Sequence, residues 1–107
     1  MSKNIRLTFF VIPTGAFFGY QSQINGIYIN NDKLVSALQT EIRDQYFTKE
    51  FKNAVFTLRA IDHKNKTCKE MKLDDKIGDY FNDHPNSRFI NILVESTLGE
   101  SYFFTLF

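Results

Sequence analysis

The sequence predicts an α+β domain in which a mixed sheet carries one main helix and one short helix. Three observations lead there. Residues 5–12 (IRLTFFVI) alternate with the period of a strand, residues 88–95 (RFINILVE) are dense in Ile, Leu and Val, and Leu34, Val35, Leu38, Ile42 and Tyr46 recur at helical spacing between them.

The chain has 107 residues, room for a single domain over 1–107 with a modest core. Its composition is globular: 43% hydrophobic and 23% charged, with 12 Phe and 5 Tyr. A net charge of +1 gives no global field toward nucleic acid or an anionic membrane, so neither is an expected partner. The uninterrupted apolar run Phe9–Ile12 stops at Pro13, well short of the roughly 20 residues that a spanning helix needs. Lys3, Arg6 and the apolar stretch 7–18 imitate a secretion signal, but Pro13-Thr14-Gly15 interrupts it and no small-x-small cleavage site follows.

The first strand, 5–12, places Ile5, Leu7, Phe9 and Val11 on one face. Two turn signals follow, Pro13-Thr14-Gly15 and Asn25-Gly26. Reversal at the first makes 16–23 the second strand, whereas reversal at the second pairs that stretch with 26–30. A helix is expected over about 32–47, capped by Asn31 or Asp32, with Lys33, Ser36, Gln39, Thr40, Arg43 and Asp44 on its polar face. Lys49–Asn53 connects to a buried strand at 54–61, and Lys64-Asn65-Lys66 turns it into a strand over 67–73. Asp74 or Asp75 is expected to cap a short helix through Ile77, Tyr80 and Phe81. Pro85-Asn86-Ser87 then breaks the chain before the strand at 88–95, expected at the sheet centre. Thr97–Glu100 turns into Ser101–Phe107 (SYFFTLF), a candidate sixth strand at the C-terminus that is apolar on both faces.

The order strand, strand, helix, strand, strand, short helix, strand resembles the β-grasp order of ubiquitin-like domains. A narrower similarity lies in "VFTLRAID" and "KLDDKIGDYFNDHPNSRFINILVE". These resemble the ubiquitin-like header domains of the Crinkler family of secreted effectors through Leu73, Asp74, Lys76, Ile77, Asp79, Tyr80, Phe81, Asp83, Pro85, Ile90, Ile92, Val94 and Glu95. The resemblance implies a ubiquitin-like fold and a non-enzymatic protein–protein interaction module, an effector header or a stand-alone relative of one. It implies an intracellular setting or, for an effector, secretion followed by action inside a host cell. The ending Phe-Phe-Thr-Leu-Phe lacks the Gly-Gly of a conjugated modifier, so conjugation is not expected.

Residues that could carry chemistry are sparse. Cys68 is the single cysteine, which excludes an internal disulfide, and with the distant His63 and His84 it lacks metal-ligand spacing. Cys68 and His63 could face each other across the hairpin turn, but no orienting third group accompanies them. Asp74/Asp75 and Asp79/Asp83 lack the glycine and ligand ladder of a calcium loop, and the glycines form no phosphate cradle. No cofactor is expected.

Interaction candidates are clearer. Lys64, Lys66, Lys69 and Lys72 cluster on the second hairpin, and Asp74, Asp75, Asp79 and Asp83 follow at once. Opposite clusters of this kind could join copies head to tail, as in ubiquitin-like Phox/Bem-type domains. Tyr102, Phe103, Phe104 and Phe107 could add the terminal strand to another chain. The second reading is therefore a homo-oligomeric scaffold domain assembling through an exposed terminal strand or the two charge clusters.

Overall fold

The computed structural model describes residues 2–86 and 88–97. The turn and sixth strand expected over 97–107 lie almost wholly outside the described residues, and with them the four terminal aromatic candidates.

Five strands form one mixed sheet: β1 (Asn4–Val11), β2 (Asn25–Asn30), β3 (Phe56–Asp62), β4 (Thr67–Glu70) and β5 (Ile92–Ser96), in the order β2-β1-β5-β3-β4. β5 runs parallel to β1 and antiparallel to β3, so it holds the centre, as its density of branched residues predicts. One helix, α1 (Val35–Tyr46), buries Val35, Leu38 and Ile42 in the core that the inward residues of the sheet share. That core takes Ile5, Leu7, Phe9 and Val11 from β1, Ile27 and Ile29 from β2, Phe56 and Leu58 from β3, and Ile92 and Val94 from β5. The period-2 reading of β1 thus selects its buried face correctly.

The connection between β1 and β2 corrects the sequence reading. Residues 16–23 form no strand. Gly15–Phe17 is a 3₁₀ turn, and Gly15 and Gly19 both adopt positive φ, which interrupts an extended chain. Phe17 is driven into the core against Phe47 and Phe56, its ring 4.9 Å from that of Phe47, while Phe18 stays exposed. Asn25-Gly26 is not a reversal either: both residues lie inside β2, opposite Phe9 and Thr8. At Gly26 the Arg6 guanidinium folds over the strand into the space that a Cβ would occupy.

The helix starts three residues later than predicted, and neither Asn31 nor Asp32 caps it. Asn31 is buried, its Oδ1 accepting the Lys3 amide at 2.8 Å and its Nδ2 donating to the Phe81 carbonyl. The first helical amides are instead satisfied by a distant loop: Val35 N–H donates to Asp75 C=O at 2.9 Å and Ser36 N–H to Leu73 C=O at 3.1 Å.

Three further boundaries move. β4 ends at Glu70, and the expected short helix is a 3₁₀ turn, Ile77–Asp79, preceded by Lys76 rather than by Asp74 or Asp75. The Lys76 amide donates to Asp79 Oδ2, so Asp79 takes the capping part given to the earlier aspartates. β5 begins only at Ile92; just before it, the Asn91 side chain rather than a backbone carbonyl accepts the Thr8 amide.

Candidate functional site

The β3–β4 hairpin is closed by Asp62. Its Oδ1 accepts the amides of Lys64 and Asn65, its Oδ2 accepts the Asn65 side chain, and Lys66 completes the turn at φ 56°. These donors hold the Asp62 carboxyl below the ordinary aspartate range, the Asn65 side chain most of all. On the other side, the chain from Asp79 to Asn91 returns toward β5. His63 joins the two walls by stacking on Phe89, ring centroids 4.5 Å apart, and donating from Nε2 to Ile90 C=O at 2.7 Å.

Between the walls lies an open cleft of about 830 Å³. Lys64 and Lys69 line it from the hairpin, Asp79 and Asp83 from the return segment, with Tyr80 and Phe89 supplying aromatic surface. Two of the four lysines in the basic cluster thus share one concavity with two of the four aspartates. Lys66 and Lys72 are exposed and outside the lining. Asp74 is exposed, and Asp75 is engaged: its carboxylate accepts the Tyr80 hydroxyl at 2.6 Å. Burial and that carboxylate push the Tyr80 phenol up, so it stays neutral and bridges Asp75 to the Lys72 amide. Asp83 accepts the His84 amide and pairs with Lys3 at 3.2 Å, and these lower its pKa in that order.

Cys68 and His63 do not form a unit. Cys68 is exposed opposite Ile61 and does not line the cleft, whereas His63 is committed to Phe89 and Ile90. Among the described residues, no group of three or more His, Cys, Asp or Glu could hold a metal ion. No helix of the described residues is long and apolar enough to cross a membrane.

The second surface is the outer face of the sheet. The helix and both 3₁₀ turns send their buried residues to the inner core, leaving Phe10, Thr57, Arg59, Ile61, Leu93 and Glu95 half-buried on the opposite face. Arg59 Nε lies 3.0 Å from Glu95 Oε1, and this bond raises the Arg59 pKa. Sequence reasoning passed over this face. The available signal was the second parity of each strand, where Phe10, Ile61 and Leu93 are apolar although they face away from the helix.

No protein-family model matches this chain, and a search of curated proteins finds no matching relative.

Proposed function

We propose that the chain is a ubiquitin-like β-grasp domain acting as a non-enzymatic protein–protein interaction module, an effector header of Crinkler type or a stand-alone relative. The fold part is supported by a single helix over a sheet ordered β2-β1-β5-β3-β4 with a parallel central pair, the arrangement the resemblance implies. The observation that carries the functional part is the outer sheet face, which presents apolar Phe10, Ile61 and Leu93 together with the Arg59–Glu95 pair. An aromatic ring and an arginine on one partly exposed face are residue types enriched at protein interfaces.

Affinity capture from cell extract, run in parallel with wild-type protein and Leu93→Asp, tests this reading. A saturable partner whose affinity falls at least about thirtyfold in the variant supports it, the size of a hot-spot loss near 2 kcal/mol. Equal capture by both proteins, with the variant folded by circular dichroism, overturns it.

A further inference from the structure

Among the described residues the two edges of the sheet are β2 and β4, and they are guarded differently. β4 carries Lys69 and Glu70 and is flanked by Lys66 and Lys72, charges of the kind that discourage edge pairing. β2 has no such guard: from Leu7 to Asn31 no residue is Lys, Arg, Asp or Glu. Its strand NGIYIN, six residues with no proline, is of the β-prone, low-charge type that pairs readily.

The hydrogen-bond parity shows which groups β2 offers. Asn31 N–H donates to Lys3 C=O, while the Thr8 amide and carbonyl are engaged by Asn91 on the other side of β1. Odd-numbered residues of β2 therefore pair with β1, and Gly26, Tyr28 and Asn30 direct their peptide groups outward. Gly26 C=O already accepts the Tyr46 hydroxyl, and Asn30 C=O accepts Lys33 N–H. Among the described residues nothing bonds either peptide group of Tyr28, whose side chain is 74% exposed.

We propose that β2 is a self-association edge: two copies of this chain pair antiparallel through β2 about a two-fold axis at Tyr28. The strand is nearly symmetric about that residue. Tyr28 meets Tyr28 and exchanges its outward amide and carbonyl, Ile27 meets Ile29 on the core side, and Gly26 meets Asn30. The remaining outward carbonyls keep a second lone pair for the partner's amides. The strand itself carries no charge, the Arg6 guanidinium over Gly26 lies toward its end and away from the axis at Tyr28, and both helices lie on the same face of the extended sheet. The inference does not rest on the proposed partner-binding function, which uses the outer face rather than the edge.

Two measurements on the full chain test it. In sedimentation velocity the wild-type mass rises with concentration from 12.5 kDa toward twice that value. Tyr28→Lys sets like charges opposite each other and weakens the dimer at least about tenfold, while Thr67→Lys on β4 leaves it unchanged. In a Cys68→Ser background, Tyr28→Cys forms an intermolecular disulfide under mild oxidation, because residues opposed in a hydrogen-bonded pair lie about 5.5 Å apart, within disulfide reach. Thr67→Cys in the same background forms no intermolecular disulfide under the same oxidation, although it still self-associates through β2. A wild-type chain that remains monomeric at all concentrations overturns the proposal. So does a dimer dispersed by Thr67→Lys but not by Tyr28→Lys.

Discussion

Thr8 and Asn91, 83 residues apart in the chain, satisfy one another across the sheet: the Thr8 amide donates to Asn91 Oδ1 at 2.9 Å, and the Asn91 amide lies 3.0 Å from the Thr8 carbonyl. The Thr8 hydroxyl also reaches the Phe89 carbonyl, so the pair fixes where the return segment joins the central strand. Both residues are buried, which makes their mutual satisfaction obligatory.

Asn91→Ala leaves the buried Thr8 amide without its acceptor. The expected loss is about 1–3 kcal/mol, read by urea unfolding. The Phe89–His63 contact should loosen with it, visible as shifted His63 ring resonances.

Phe17→Ala should be among the most damaging single changes. Phe17 is fully buried and sits among Tyr20, Phe47, Phe51 and Phe56, so truncation opens a cavity between the first connection and the helix end. A loss of about 3–5 kcal/mol in denaturant unfolding is expected. The exposed neighbour Phe18, changed to Ala, should cost within about 0.5 kcal/mol.

Gly26→Ala drives a methyl into the Arg6 guanidinium, the mobile end of a long side chain. Displacing that group offsets the gain from removing a strand glycine, so the single change should be close to neutral. In an Arg6→Ala background the same change should stabilise by about 0.5–1 kcal/mol, the usual excess cost of glycine in a strand. The non-additivity of the cycle is the measured quantity.

Asp83 titrates below the ordinary aspartate value because the His84 amide and the Lys3 ammonium favour its charged form. A depressed folded pKa means the contribution is fully present above the unfolded value near 4 and is lost as pH falls through the folded value. Wild-type protein should therefore exceed Asp83→Asn in stability at pH 6, and the difference should vanish at strongly acid pH. Paired chemical denaturations at the two pH values check this.

How far the sequence carries is visible at Leu34 and Val35. Helical spacing located α1 and named its buried residues Val35, Leu38 and Ile42, because a 3.6-residue period is a local property. The cap was misassigned to Asn31 or Asp32, since the groups that satisfy the first helical amides, Leu73 C=O and Asp75 C=O, are far along the chain. The candidate site divides in the same way. Lys64, Lys69, Asp79 and Asp83 were legible as charge clusters, but their meeting in one cleft depends on the path from Asp79 to Asn91.

At Asn25-Gly26 the local turn preference and the tertiary requirement disagree, and the tertiary one prevails. By itself the sequence determined an α+β chain with one amphipathic helix, the inward face of β1 and a central β5, all set by periodicities short enough to read along the chain. The start of β2, the burial of Phe17, the half-buried outer face with Phe10 and Leu93, and the outward peptide groups of Tyr28, which nothing bonds among the described residues, were decided only in three dimensions. Each depends on which distant residue fills a space or satisfies an amide, and no local pattern encodes that.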